Sequence, residues 1–397
     1  MGAVGLAVFV QAFEITGSPA AVGLLGLVQF GAMILGVLGG SIVVDHVDRR
    51  LLLVLTQAGF GLTSAALLMA TLSGRPPMAL LYVCSGVGSA VASLHFPTRS
   101  AMIPPIVERT DLTTAMTLEM VIWNSTMIAG PIVGGVILAH NDLSAVYAFS
   151  LACHMLTALV MLPLQGQPPR HEGRTGGLGI QAIRYGVAYL RPRPVLRGLL
   201  WIDLIAMTLG MRRSLFPILA GEQFGRGPEV VGLLMAAIPA GALVVSLTGN
   251  WVAGVRRQGL GLVLSAGIWG AAVTAFGISG DRLWLALLLL ATGGGADIVA
   301  AILRASIIQH EVPSQVRGRV WGLNFLVLNG GPRLGDFTGG LVASAWSAPF
   351  SVVTGGLAAL IGCGLYALAS PQLARYEADD GIDPEIDPRI GGTVSAG

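Results

Sequence analysis

Two stretches decide the fold: Asn124-Ser-Thr-Met-Ile-Ala-Gly130-Pro131-Ile-Val-Gly134-Gly135 and Asn329-Gly-Gly-Pro-Arg333-Leu-Gly335-Asp336-Phe-Thr-Gly339-Gly340. At an offset of 329 minus 124, or 205, Asn124 falls on Asn329, Gly130 on Gly335, Gly134-Gly135 on Gly339-Gly340, and Arg99 on Arg304. A second match joins Val22-Gly-Leu-Leu to Val231-Gly-Leu-Leu at 231 minus 22, or 209, and carries Gly40 onto Gly249. Agreement of this kind marks an internal repeat of about half the chain.

The residues around the repeat belong in a lipid bilayer. Of 397 residues, 54% are hydrophobic and only 11% charged, against about 25% charged in soluble domains. The 56 glycines lie within apolar runs and not in linkers. A bilayer span takes about 20 apolar residues. On that measure full spans fall near 20–44, 51–72, 77–103, 112–139, 143–164, 196–220, 229–253, 259–279, 283–308, 318–345 and 349–370. Met1 to Phe13 is apolar but short and ends at Glu14 and a Thr-Gly-Ser-Pro turn. It has no basic leader region or small-residue cleavage site and reads as the second half of a first span. A short interfacial segment is the alternative. Six spans separate the two copies of the repeat, so both halves have the same topology, as in transporters built from parallel six-span repeats.

All 23 basic residues are Arg, and the chain has no Lys. A P-loop or a lysine Schiff base is therefore excluded. Cys84, Cys153 and Cys363 sit in apolar stretches, and no His, Cys, Asp or Glu spacing matches a metal site. No nucleophile elbow or dinucleotide fingerprint occurs, so the reading is of a protein that is not an enzyme and has no cofactor, metal or nucleic-acid partner. Fifteen arginines fall in alternate loops and the tail, three (Arg75, Arg226, Arg282) in the opposite loops, and five within or at the edges of spans. The bias places both chain ends in the cytoplasm. A polar, Arg-rich segment, 165–194, divides the chain; its second part has the apolar spacing of an interfacial helix. The organisation read from this is an N-terminal bundle over 1–164, a linker over 165–194, a C-terminal bundle over 195–370 and an acidic, disordered tail over 371–397.

Motifs sharpen the reading. The loop after the second span runs Gly40-Ser-Ile-Val-Val-Asp45-His-Val-Asp48-Arg49-Arg50 and resembles the GxxxD(R/K)xG(R/K)(R/K) loop of the major facilitator superfamily. Ser41, His46 and Asp48 depart from that pattern. The resemblance assigns Asp45, Arg49 and Arg50 to a gate between the halves. Gly130, Pro131, Gly134 and Gly135 resemble the helix-bend motif of export-type members; Pro131 removes a backbone hydrogen bond and the glycines permit close helix approach. Ile15 to Gly26, Asp45 to Leu53, Leu215 to Ala220, Ala236 to Ala242 and Gly335-Asp336 resemble the drug:proton antiporter branch, in particular its siderophore exporters. The fold this implies is an all-α integral membrane fold of two pseudo-symmetric six-helix bundles. The implied function is export of a small amphipathic molecule by proton antiport through a monomer in the inner (plasma) membrane, in contact with lipid. A multidrug or antibiotic pump, or a non-transporting receptor or scaffold, are the alternatives.

Charged groups inside spans cost about 2.5–3.5 kcal/mol on insertion scales and mark partners or cavities. Asp336, Asp297, Asp203 and Glu119 are the candidates for carrying protons, with Asp336 first because it occupies the repeat position of Pro131. Arg212, Arg213, Arg333 and Arg304 are the candidates for an anionic group on the substrate. Adjacent Arg212 and Arg213 cannot face one side together. Structural ion pairs such as Asp297–Arg304 or Asp336–Arg333 are the competing reading, and His95 reads as a helix-packing residue.

Overall fold

The computed structural model describes residues 2–74, 76–104, 106–108, 110–163 and 180–377, with the side chains of 41–46, 113, 180–182, 250 and 253 outside the description. The described residues are helices and short connections, the only open arrangement in which a chain crossing lipid satisfies its own backbone. Ten helices among them are long and apolar enough to cross a membrane. The first half comprises α1 (Gly2–Thr16), α2 (Pro19–His46), α3 (Arg49–Leu72), α4 (Met78–Met102), α5 (Leu112–His140) and α6 (Leu143–Met161). After the linker helix α7 (Ile180–Leu190) come α8 (Pro194–Gly210), α9 (Phe216–Glu222), α10 (Pro228–Thr248), α11 (Gln258–Gly277), α12 (Leu283–Glu311), α13 (Ser314–Ala345), α14 (Ala348–Ala369) and the short α15 (Pro371–Ala374).

Three elements differ from the expected spans. The 196–220 span is two helices, α8 and α9, separated by a break and a 3-10 turn at Arg213–Leu215. The expected 229–253 span ends as an α-helix at Thr248 and finishes in a 3-10 segment, Gly249–Gly254. The tail does not begin at Pro371 as free chain: Leu373 is fully buried, the Gly259 N–H donates to the Tyr376 carbonyl at 3.2 Å, and Arg257 pairs with Glu377 at 3.0 Å. Residues 378–397 lie outside the described residues. The short α1 is packed inside the bundle, with Leu6, Ala7 and Ala12 fully buried, and touches α5 and α6. That burial does not fit a helix lying on the interface.

The halves meet along two seams, α2 against α13 and α5 against α10. Both are made of glycine. A Cβ on Gly340 would lie 2.5 Å from the Pro19 carbonyl oxygen and 2.8 Å from Gly23 Cα; one on Gly232 would lie 2.5 Å from the Pro131 carbonyl oxygen and 3.4 Å from Gly135 Cα. Without a hydrophobic driving force between helices in lipid, this close backbone packing supplies the attraction. The repeat explains the pairing, since Gly340 is the copy of Gly135 and Gly232 the copy of Gly23. The two offsets found in the sequence meet at the two seams.

The seams lie toward the Arg-poor loops. Towards the Arg-rich ends the halves part. Over Met116 to Thr126, exposed residues of α5 include Met116, Thr117, Leu118, Met120, Val121, Ile122, Ser125 and Thr126. At about 100° per residue these cover nearly the whole circumference of the helix. This stretch of α5 is therefore bare of close packing on most of its sides. Replacing Gly340 or Gly232 by Val should keep the protein inserted but part the seam. A disulfide between cysteines placed at Ala20 and Ser344, whose backbone N–H and Oγ are 2.8 Å apart, should then form several-fold less. Gly31→Val, where nothing stands within 4 Å of the added carbon, should leave cross-linking at the parent level.

Candidate functional site

The break in the seventh span builds the site. Gly210 ends α8, Pro217 lies in the first turn of α9, and Met211 and Arg212 between them have non-helical backbone. Such discontinuous helices are tolerated in membranes where neighbours take up the freed backbone groups. Here the freed Ser214 N–H donates to Asp336 Oδ1 at 2.8 Å, and Ser214 Oγ donates to the Asp336 carbonyl oxygen at 3.3 Å. Asp336 is buried on α13 and lies in the α2 seam: a Cβ on Gly26 would be 2.9 Å from Asp336 Cβ, and one on Gly23 would be 2.7 Å from its carbonyl oxygen. Three elements, one from the opposite half, meet at this carboxylate.

The adjacent arginines diverge, as their adjacency requires. Arg212 is buried; Nη1 donates to Ser351 Oγ at 2.7 Å, and the side chain lies over Gly339 and Gly355. This places Arg212 within the C-terminal packing between α13 and α14. Arg213 is exposed and within electrostatic reach of Asp297, Asp336 and Arg333. Arg333 crosses to the other half, where Nη1 lies 3.3 Å from Met33 Sδ; it also donates to the Asn329 carbonyl, and its buried Nε has no hydrogen-bond partner. Asp297 is half-buried, and no hydrogen bond reaches it among the described residues. Asp336, Arg333 and Arg213 thus form one charged group beside the seam, and Asp297 lies between it and Arg304, within electrostatic reach of both Arg304 and Arg213.

The remaining candidates lie apart from it. Arg304 makes its direct hydrogen bond to Asp203 on α8, both side chains buried, and Asp297, two turns away on its own helix, lies within electrostatic reach of it. Glu119 faces Arg99 at 3.4 Å and accepts from Ser100 Oγ. The two repeat-related arginines therefore both reach carboxylates, although on non-equivalent helices. In the loop after α2, Asp48 caps α3 by accepting from the N–H groups of Arg50 and Leu51, and Arg49 donates to the Ala101 carbonyl at 3.0 Å. The Asp45 side chain lies outside the described residues. In α5, Gly130 and Gly134 pack on α1 while Pro131 and Gly135 pack on α10. His95 is buried and shares a hydrogen bond with Thr56 Oγ1 at 2.9 Å. Among the described residues no cluster of three or more His, Cys, Asp or Glu has the arrangement of a metal site. Sequence reasoning did not find Ser214 or Ser351. Gly210 and Pro217 flanking the Arg pair were the available signal for the break.

Two repeat-related helical halves joined along glycine seams have the arrangement of a secondary transporter of the major facilitator fold. The chain overlays a bacterial homologue of the human lysosomal transporter Spinster, in an inward-facing and unoccupied conformation, with a TM-score of 0.71 over 96% of each chain at 13% identity. It overlays a POT family transporter in complex with a thioalcohol-conjugated peptide with a TM-score of 0.68, over 94% of this chain and 96% of that one, at 12% identity. The chain belongs to the transmembrane secretion effector family of major facilitator transporters, whose pattern spans residues 3–386. It is 28% identical over 324 residues to the enterobactin exporters EntS of Shigella boydii serotype 18 and Escherichia coli O1:K1, covering 81% of this chain and 77% of each relative. A family of transporters is not one of enzymes, and membership displaces the non-transporting alternative.

The buried Asp203–Arg304 pair carries a stability prediction. Removing one partner strands the other charge in a low-dielectric interior, at a cost of about 3–5 kcal/mol. Arg304→Met or Asp203→Leu alone should markedly lower the melting temperature in detergent, and the double variant should recover most of the loss. Simply additive losses would show that the two groups do not act as a pair.

Proposed function

We propose that this transporter exports a small amphipathic molecule bearing anionic or catecholate groups, a siderophore-type cargo, in exchange for protons. The observation that carries the reading is the position of Asp336. The two seams are copies of one another, yet the position held by Pro131 in one is held by a carboxylate in the other. Obligatory exchange requires that the empty, deprotonated carrier stay in one conformation while either ligand lets it switch. An ionised Asp336, fixed by Ser214 within reach of Arg213 and Arg333, supplies that lock. A proton removes its charge, and an anionic cargo competes for the arginines. Arg213 and Arg333 are the cargo residues in this reading, Asp297 their companion, and Arg212, Arg304, Asp203 and Glu119 serve packing and ion pairs.

The wider arrangement follows from the same reading. The 15-to-3 division of loop arginines puts both ends of the chain in the cytoplasm. The space between the halves then opens inward, where cargo made in the cell is loaded. The two bundles, 1–164 and 195–370, rock about the glycine seams, with 165–194 as the cytoplasmic link, as a monomer in the cell membrane. In the loop assigned to the gate, Arg49 at the start of α3 holds the end of α4 through the Ala101 carbonyl.

A multidrug pump is the second reading, and one observation favours it. Met116 and Met120 are exposed on α5, and the Phe96 and Trp123 rings meet edge to face at 4.7 Å. Flexible thioether and aromatic surfaces accept varied ligands.

Culture supernatants of iron-starved cells with and without the gene, compared by mass spectrometry, should show a secreted iron chelator lost in the deletion strain while dye and antibiotic extrusion is unchanged. Unchanged chelator with increased drug accumulation would select the multidrug pump. In proteoliposomes, Asp336→Asn should abolish cargo accumulation driven by a pH gradient while downhill exchange of cargo persists. Undiminished proton-driven accumulation would remove Asp336 from the coupling.

A further inference from the structure

The break in the seventh span has a consequence for how a proton at one carboxylate moves helices. In a continuous helix the Ser214 N–H would be used four residues back, and α13 would have no hold on it. Because α8 stops at Gly210, that donor is free and is spent on Asp336 Oδ1, while Ser214 Oγ takes the main-chain oxygen of the same residue. The 3-10 turn Arg213–Leu215 touches α2 as well as α13, and α9, which continues from it, packs against α1, α10 and α14. The turn therefore joins the charged group to the seal: α1 and α2 belong to the opposite half.

We propose that Ser214 is a positioning residue that reads the charge of Asp336 and transmits it to α9. With the carboxylate ionised, the two Ser214 bonds hold the turn against α13 and α9 against α1, and the Arg-poor end is shut. Neutralising Asp336 replaces a charge-assisted hydrogen bond by an ordinary one, about half as strong, and the turn and α9 are released. This rests on the reading that Asp336 carries the exchanged proton. The charged groups facing Asp336 are Arg212 and Arg213 from the break and Arg333 on its own helix; Asp297 on α12 reaches it only through Arg213, and α2 presents Gly23 and Gly26. Backbone packing on the α2 side means that the polar response is confined to the broken segment.

The test is a spin-label distance across the Arg-poor end, between cysteines at the exposed positions Thr16 on α1 and Glu222 on α9, in the full chain with Cys84, Cys153 and Cys363 replaced and the protein in nanodiscs. The parent should show one short distance at pH 8 and a growing longer population as pH falls to 5. Asp336→Asn should show the longer population at every pH. Ser214→Ala, which loses the hydroxyl bond and keeps the N–H, should move the midpoint of the transition to higher pH by roughly half to one unit, and Ser214→Thr should restore it. Ser214→Pro, lacking the N–H, should behave as Asp336→Asn. If Ser214→Ala and Ser214→Thr share the parent's midpoint, the inference is overturned, whether or not Ser214→Pro folds. Loss of proton-driven accumulation in Asp336→Asn beside an unaltered Ser214→Ala transition would overturn the role of Ser214 and leave the coupling role of Asp336 standing. Retained accumulation in Asp336→Asn would remove the reading on which both rest.

Discussion

Close approach of glycine backbones between the halves is the constraint on which the rest of this structure depends. In lipid, apolar side chains gain nothing by meeting one another, so helices associate through packing and hydrogen bonds. Gly23 against Gly340 and Gly135 against Gly232 bring backbone to within contact distance at the Arg-poor end. No residue with a Cβ can occupy these four places without moving a neighbouring backbone. Among the described residues the closest backbone approaches between the halves gather toward the Arg-poor end, which leaves the packing between the bundles concentrated in the two seams.

Near-symmetry makes the differences between the halves informative. The described N-terminal spans pair their polar groups locally: Gln11 with Tyr147 and Thr71, Gln57 with His154, Thr56 with His95, Glu119 with Arg99. The C-terminal half holds Asp203, Asp297, Asp336 and four arginines within its spans. Asp203 and Arg304 are joined directly, with Asp297 within reach of both, and Arg212 is absorbed by Ser351 and two glycines. What is left over, Asp336, Arg333, Arg213 and Asp297, is the set that touches the seam or reaches the groups that do. The cost of burying charge in lipid is met in the first two cases by fixed partners, and in the last by partners that a proton or an anion can change.

Much of this was legible from the chain. The two offsets of the repeat located the four seam glycines before any contact was known, and the positions of most spans follow from apolar run length. The seventh span was not legible as two helices, because hydropathy registers side-chain transfer and not backbone continuity; a break flanked by apolar residues leaves the average unchanged. The partners of the buried charges were also beyond reach. Helical spacing offered Asp297 to Arg304, whereas the fold brings Asp203 from 101 residues away. Spacing within one helix says which groups share a face, and only the packing of α8 on α12 decides which one the guanidinium meets. Leu373 docked between helices for the same reason: an acidic, Pro-rich composition describes the tail as a whole but not its first seven residues.

Placing a titratable group in a seam also bears on how rigid each half can be. Asp336 is held by a donor that exists because its neighbouring helix is broken, so an interrupted helix stands beside a buried carboxylate. An unbroken seventh span would leave Asp336 buried with only arginines to satisfy it, and any arginine drawn to another anion would strand the carboxylate. A backbone N–H avoids this, since it carries no charge for another anion to compete with and cannot swing away from its own chain. The opposite seam has Pro131 at the corresponding position and packs α5 against α1 and α10. The two seams share their glycine packing and differ at the copied position, a proline in one and a carboxylate in the other, a difference that two sequence-identical halves could not have.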